Sequence, residues 1–150
     1  AGERFAVRNS GATAVVEGVG NHCCEYMTGG RVIVLGRTGS NFAAGMSGGV
    51  AFVLNEAGNF DYYCNMGMVE LSLVEDLSDI NELNNLLTRH YEFTGSVKAK
   101  MILDDPDKYL PMFIKVIPYD YKKVLQEQKL EELKKKIASV EMDVEYDPGK

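Results

Sequence analysis

Four short apolar runs recur at a regular spacing in the first half of the chain, at residues 12–16, 31–35, 50–54 and 69–73. Each of the first three is followed by turn-forming residues, which is typical of strands that end in tight turns. Two series of glycines repeat every 19 residues in the same region. We predict that these glycines are structural corners that need a positive φ. They are Gly11, Gly30 and Gly49, and Gly20, Gly39 and Gly58.

A period of about twenty residues with one strand per unit is typical of a solenoid, in which each coil pairs with the next. We therefore predict a parallel β-helix with 19-residue coils over residues 1–76. The leucine-rich repeat pattern is absent, and nothing repeats every six residues as in hexapeptide coils. The inward columns would be Ala14, Ile33, Phe52 and Leu71, and Val16, Leu35, Leu54 and Leu73. The alternate columns through Val32 and Val34 are also apolar, so we expect something to cover that outer face.

The second half changes to a helical period, and 77–150 is predicted to be a helical segment that packs on the solenoid or on partner domains. A first helix is expected from Leu77 to about His90, with Asp79 and Glu82 as a capping pair. A stop at Thr94–Ser96 precedes a short helix to Leu103. Residues 112–117 are either a strand or an apolar arm. The last helix is expected near residues 122–138, followed by a frayed tail over 141–150.

Composition narrows the functional class. The chain has 150 residues and a net charge of −6, which disfavours nucleic acid or an anionic membrane as a partner. No apolar run approaches the length of a membrane span. Its three cysteines are an odd number, which favours a reducing compartment such as the cytoplasm over a disulfide framework. The first residue is Ala1, as expected for a piece of a longer protein.

Candidate chemistry is sparse, and we predict no catalytic, cofactor-binding or metal-binding residue. Neither Gly18–Gly20 nor Gly36–Gly39 completes a nucleotide-binding motif. The cluster of His22, Cys23 and Cys24 with Cys64 is tempting, but the 19-residue register separates Cys24 from Cys64 by two coils, and neighbouring cysteines on extended chain point to opposite faces. His90 is expected to have a capping role at a helix end.

Several longer segments of the chain together resemble a known protein family. Residues 2–20, 24–36 and 41–51, with 86–90, 94–96, 102–103 and 113–118, resemble the C-terminal GXGXG domain of the glutamate synthase large subunit. Seven glycines fall on the family's pattern, namely Gly29, Gly30, Gly36, Gly39, Gly45, Gly48 and Gly49. The resemblance implies a mainly β fold, a right-handed parallel β-helix that is truncated at its N-terminal side. Asn21 and Cys23 depart from what relatives more often carry.

The resemblance also implies a function. The parent enzyme would make two glutamates from glutamine and 2-oxoglutarate, with an amidotransferase domain that releases ammonia and a flavin domain that holds FMN and an iron-sulfur cluster. This chain would be a non-catalytic scaffold that braces those two domains. We also expect self-association through the truncated end of the solenoid, because an unpaired strand edge is exposed there.

Two alternatives stay open. The same β-helix resembles a stand-alone subunit of formylmethanofuran dehydrogenase, so the chain could be a subunit of another oxidoreductase complex. A small enzyme that uses His22 and Cys23 is the third class, and unchanged behaviour of a Cys23→Ala variant would remove it.

Overall fold

The computed structural model describes residues 1–145, with side chains described through Glu141. The strands are β1 (Ser10–Val16), β2 (Thr28–Val34), β3 (Gly48–Leu54), β4 (Val69–Leu73) and β5 (Phe113–Pro118). The helices are α1 (Phe60–Tyr63), α2 (Leu77–Thr94), α3 (Val97–Asp104), α4 (Pro106–Tyr109) and α5 (Tyr119–Glu145), and a single 3₁₀ turn spans Leu110–Met112.

The five strands form one open sheet in the order β1-β2-β3-β5-β4. The pairs β1–β2 and β2–β3 are parallel, whereas β5 pairs with both β3 and β4 in antiparallel register. The prediction of a mainly β, right-handed parallel β-helix with 19-residue coils followed by a helical segment is therefore wrong. The fold is a mixed α/β fold with an open sheet.

β5, and not β4, pairs with β3, and the burial of β3 explains this choice. All seven residues of β3 are buried, so its neighbour must present an apolar strand. β5 supplies Phe113, Val116 and Ile117, which are 0%, 0% and 5% exposed. β4 carries the polar residues Glu70 and Ser72 and lies at the edge of the sheet. The fourth apolar run of the sequence is thus a strand, but it does not stack on the third.

The register of the parallel strands departs from a constant spacing. Ser10 pairs with Gly29, but Thr13 pairs with Arg31, because an irregularity lies between them. As a result Val15, and not Ala14, lies beside Ile33. The predicted column that began at Ala14 is displaced by one residue in its first layer, which exchanges the two faces of β1.

Both faces of the sheet are covered. One face, with Val32, Val34, Ala51 and Val53, packs against residues of the turns that precede β2 and β3, including Cys24, Met27, Phe42 and Met46. The other face packs against the helices, with Ile33, Leu35, Phe52 and Leu54 against Leu83, Leu87, Ala99 and Ile102. Coverage of a second apolar face is confirmed. The assignment of faces is wrong, since the Ile33 and Phe52 column lies under the helices.

The helix boundaries lie close to the expected ones, but the N-terminal cap of α2 is a different residue. Asp76, and not the pair that starts at Asp79, caps α2 by accepting a hydrogen bond from the backbone N–H of Ser78 at 3.0 Å. α2 continues beyond His90 to Thr94, and Gly95, which has φ +68, is its C-cap. Ser96 caps α3, as expected. Residues 112–117 fall largely in β5, which decides between strand and apolar arm.

The last helix is longer than expected at both ends. α5 begins at Tyr119, directly after β5, and continues to Glu145. The predicted frayed tail over 141–150 is helical as far as Glu145, and its last five residues lie outside the described part of the chain. Within residues 1–145, no helix combines the length and apolar character needed to span a membrane.

The two sequence segments share one sheet. β5 belongs to the segment that starts at residue 77, yet it lies between β3 and β4 of the first segment. The division of the chain into two domains at residue 76 stays a prediction. Strands from both sides of that boundary pair with one another in the sheet.

Candidate functional site

Short turns with left-handed backbone stack in front of the parallel strands. Their positive-φ residues alternate along the chain: Arg4, Ala6 and Arg8 in the first layer, His22, Cys24 and Tyr26 in the second, and Asn41, Ala43 and Gly45 in the third. Backbone hydrogen bonds join the layers, as in the N–H of Cys24 that donates to the Phe5 carbonyl at 2.9 Å and that of Ala43 to Cys23 at 2.8 Å. Sequence reasoning missed this conformation, because eight of these residues are not glycine.

The cysteines of the tempting cluster lie inside this stack. Cys23, Cys24 and Cys64 are free and buried, and the Sγ atoms of Cys23 and Cys24 are 3.6 Å apart. We expected neighbouring side chains on opposite faces, but Cys24 has φ +60 and is not extended, so the two thiols converge. Cys64 lies beyond the third layer, in a parallel bridge with Phe42 of that layer.

Burial sets the chemistry of these thiols. The hydrogen bond with Cys23, followed by burial, raises the pKa of Cys24 well above its usual value. Burial raises the pKa of Cys64 to about 12. A thiol must lose its proton to act as a nucleophile or metal ligand, so both groups are poor candidates for either role near neutral pH. Among residues 1–145, no group of three or more His, Cys, Asp and Glu side chains has an arrangement that could hold a metal.

The two histidines lie apart, each beside a glutamate. His22 Nδ1 is 2.7 Å from Glu25 Oε2, but this buried oxygen accepts no hydrogen bond. His90 Nε2 is 3.3 Å from Glu17 Oε1, which also accepts a hydrogen bond from Ser96. His90 thus ties the end of α2 to the end of β1 instead of capping its own helix.

The six predicted corner glycines fall into different environments. Gly30, Gly49 and Gly58 have φ between +74 and +90, whereas Gly11, Gly20 and Gly39 do not have positive φ. At Gly30 a Cβ would also collide with the Ala12 carbonyl of the layer before. Gly39 lies against Asn21, whose Oδ1 accepts a hydrogen bond from the Ser40 N–H at 2.8 Å. The structural role of the six as a group stays a prediction.

A cavity of about 630 Å³ opens where β2 and β3 end. The loop at Gly36–Thr38 forms one wall, and Asn55, Phe60 and Tyr63 form part of the other. Phe60 is 2% exposed, while Arg37 and Glu56 are exposed. The cavity therefore combines an apolar floor with a polar, open rim, which suits a loop of another protein segment better than a small ligand enclosed on all sides.

Among the side chains that the structure describes, three ion pairs connect the sheet to the helices. The pair between Lys115 of β5 and Asp79 of α2 is the most buried, with side chains that are 18% and 16% exposed. Such an ion pair adds little net stability, because the cost of desolvating both charges offsets their attraction. The three are Arg31 with Glu82, Lys115 with Asp79, and Lys122 with Glu70, each at 2.7 Å between the charged atoms.

Comparison with known proteins gives consistent matches. The family described as GXGXG motif matches residues 1–119. Glutamate synthase [NADH] of Schizosaccharomyces pombe is 54% identical over 137 residues, which cover 90% of this chain and 6% of that protein. Glutamate synthase [NADPH] large chain of Bacillus subtilis is 52% identical over 133 residues, 86% of this chain and 9% of that protein. The ferredoxin-dependent, chloroplastic glutamate synthase of Spinacia oleracea is 52% identical over 118 residues, 79% of this chain and 7% of that protein.

These matches confirm the resemblance drawn from the glycine pattern and the segments around it. The chain spans less than a tenth of the length of each of these relatives. The resemblance therefore concerns one region of much longer enzymes. With the family matched over residues 1–119, this chain belongs to the GXGXG motif family and is similar to a segment of the glutamate synthases.

Proposed function

We propose that this chain is an architectural domain of a glutamate synthase, which braces an amidotransferase domain against a flavin domain and performs no chemistry itself. The observation that carries the proposal is the identity of about half the residues, over most of the chain, to three glutamate synthases that differ in electron donor. The enzyme would convert glutamine and 2-oxoglutarate to two glutamates, with FMN and an iron-sulfur cluster in its other domains.

The construction of the sheet supports a bracing role. Its three inner strands, β2, β3 and β5, are covered by turns on one side and by helices on the other, so they form a stiff centre. β1 remains an edge strand, exposed from Ser10 to Thr13. An edge strand presents unpaired backbone groups to which another segment can bind. The domain thus offers a rigid body with a defined attachment edge.

Partners follow from the same proposal. The open edge of β1 and the rim of the cavity beside Gly36–Thr38 are the surfaces that the amidotransferase and flavin domains would contact. When no partner occupies it, the β1 edge would also pair with a second copy of this chain. We infer a reducing, cytoplasmic location, which the three free and buried cysteines support.

The isolated chain tests the non-catalytic part of the proposal. The purified protein is titrated with FMN, and its turnover of glutamine is measured with and without 2-oxoglutarate. We expect no flavin absorbance after gel filtration and no glutamate above the rate of a heat-denatured sample. Stoichiometric flavin, or glutamine turnover that a Cys23→Ala variant loses, would contradict the proposal.

A binding experiment tests the partners. Amidotransferase and flavin-binding segments of the Bacillus subtilis large chain are immobilised separately, and the 150-residue chain is passed over each. We expect retention by both. Retention by neither, together with retention by a formylmethanofuran dehydrogenase subunit, would favour the alternative oxidoreductase complex.

A further inference from the structure

The cavity at the ends of β2 and β3 lies where a regular backbone pairing stops. Beyond the strands, the segment that follows β1 remains paired with the segment that follows β2. The Val19 N–H donates to the Arg37 carbonyl at 2.8 Å, and the Gly39 N–H donates to the Gly20 carbonyl at 3.2 Å. Pairing between these two layers therefore continues after β1 and β2 have ended.

The segment that follows β3 does not continue this series. The Asn55 N–H donates to the Met112 carbonyl just before β5 at 2.9 Å, and the Asn55 carbonyl accepts from the Gly58 N–H at 3.3 Å in a turn. Among the residues that the structure describes, no backbone hydrogen bond joins 36–39 to 55–58. The cavity of about 630 Å³ occupies the place that this pairing would fill.

Thr38 directs its backbone toward the cavity. The Arg37 carbonyl and the Gly39 N–H, on either side of Thr38, both bond to the segment that follows β1. In such pairing the residue between two bonded groups turns its own N–H and C=O to the opposite side. That side is the cavity, which Thr38 lines, and within the described part of the chain neither group has a backbone partner. Thr38 thus presents one donor and one acceptor to whatever enters.

The charge at the rim is positive. Arg37 and Glu56 are the two charged side chains that line the cavity. Glu56 forms an ion pair with Lys98, so its charge is balanced. Arg37 is exposed, and its guanidinium forms an ion pair with none of the carboxylates that the structure describes. A guanidinium pairs best with a carboxylate, so the rim suits an acidic group.

A second copy of this chain is a poor occupant. The strands at the two edges of the sheet are β1 and β4. β1 carries no carboxylate in its sequence SGATAVV. The one carboxylate of β4, Glu70, already forms an ion pair with Lys122 at 2.7 Å. Neither edge strand offers the free negative charge that complements Arg37.

We propose that the cavity binds an extended segment of another polypeptide, which pairs with the backbone of Thr38 and carries a carboxylate that pairs with Arg37. An apolar side chain of the segment packs on the floor at Phe60 and Tyr63. Backbone pairing holds the segment, as in the addition of a strand to a sheet edge, and charge selects it. The inference rests on the proposed contact between this cavity and another domain, and it names the kind of segment that makes the contact.

The test titrates the whole 150-residue chain, labelled with ¹⁵N, with two blocked peptides. One peptide alternates valine with glutamate, and the other alternates valine with lysine. We expect the glutamate peptide to shift the amide signals of residues 36–39 until they saturate, and the lysine peptide to leave them unchanged. No shift, or shifts confined to other parts of the chain, would overturn the proposal.

Two comparisons separate charge from backbone pairing. The Arg37→Glu variant should bind the glutamate peptide at least tenfold more weakly, whereas Arg89→Glu, at an exposed arginine of α2, should bind it as the original chain does. A glutamate peptide with N-methylated backbone amides keeps its charges but cannot donate to the Thr38 carbonyl, and it should lose most of its affinity. Equal affinity of the methylated peptide would mean an electrostatic contact alone and would overturn the proposal.

Two further measurements identify the occupant. If the same amide signals move when the chain alone is concentrated, a second copy fills the cavity and the proposal is overturned. Immobilised amidotransferase and flavin segments of the Bacillus subtilis large chain should retain the original chain better than Arg37→Glu. Equal retention of the two would overturn this inference and leave the architectural role standing. Retention of neither would count against the architectural role, while the peptide titration still decides the inference.

Discussion

Leu54, at the end of β3, lies opposite Phe113, at the start of β5, in antiparallel register. Both side chains are buried, at 3% and 0% exposure. This pair marks the place where the parallel series of strands stops and a strand from the far end of the chain joins the sheet. The helices that follow and precede β5 are thereby fixed over one face of the sheet.

Removal of the Phe113 side chain should be among the most damaging single changes. Phe113→Ala leaves a cavity in the core beneath the helices, and we expect the free energy of unfolding to fall by about 3–5 kcal/mol. Urea denaturation measures the loss. Phe93→Ala, at a site 87% exposed, is the matched control and should change stability little. A loss below about 1 kcal/mol in Phe113→Ala would place β5 outside the core.

Three glycine variants separate backbone strain from steric contact. Gly30→Ala meets both a φ of +90 and the Ala12 carbonyl, so we expect a loss of at least about 1–3 kcal/mol. Gly58→Ala meets only the strain of φ +74, and Gly11→Ala meets neither. The order of melting temperatures should therefore be Gly11→Ala highest and Gly30→Ala lowest. Equal melting temperatures for the three would contradict the corner role of Gly30.

From the burial of Cys64 we predict that the free energy of unfolding falls at alkaline pH. Because the pKa of Cys64 is raised to about 12 in the folded chain, while an unfolded thiol ionises near a pKa of about 8.5, the unfolded state binds fewer protons between these values. The stabilising contribution is complete below about pH 8.5 and is lost as the pH rises toward 12. At about pH 9.5 the free energy of unfolding should be lower by about 1 kcal/mol from this group.

A Cys64→Ala variant provides the reference for this measurement. Other titrating groups are common to both proteins, so the difference between their urea curves at pH 7 and pH 9.5 isolates the thiol. Identical pH dependence in the two proteins would mean that Cys64 ionises as readily in the folded state as in the unfolded state.

For Asp76 we predict the opposite pH dependence: its contribution to stability is lost at acid pH. The hydrogen bond from the Ser78 backbone lowers the pKa of this carboxyl in the folded state, so its contribution is present above the unfolded pKa and is lost as the pH falls through the folded value. Asp76→Ala should lower the melting temperature at pH 7, and the difference should shrink under acid conditions. Asp76→Asn keeps the capping acceptor and should recover most of the loss at pH 7. A difference that grows in acid would contradict the cap.

Local signals in the sequence predicted much of the secondary structure. The apolar runs are strands, and Ser96 begins a helix where its position after Thr94–Gly95 predicts one. These features depend on neighbouring residues alone. The extended match of residues 2–20, 24–36 and 41–51 to the GXGXG domain led to the correct family, whereas the glycine spacing by itself predicted a solenoid.

Long-range pairing could not be predicted in the same way. The period of 19 residues favoured continued stacking after β3, but strand order depends on which apolar strand best buries β3, and β5 does so. The left-handed turns at Cys24 and Ala43 were also beyond sequence reasoning, because neither residue type favours positive φ and only the stacked layers stabilise it. The convergence of Cys23 and Cys24 follows from that conformation.

Exchange of this chain into a known enzyme tests the architectural role most directly. In the Bacillus subtilis glutamate synthase large chain, the matching segment is replaced by this chain, with and without Gly30→Val, and glutamate formation from glutamine is compared with flavin content. We predict that the chimera keeps glutamine-dependent synthesis and that the Gly30→Val form loses it while its flavin remains bound. Undiminished synthesis after complete deletion of the segment would contradict the account.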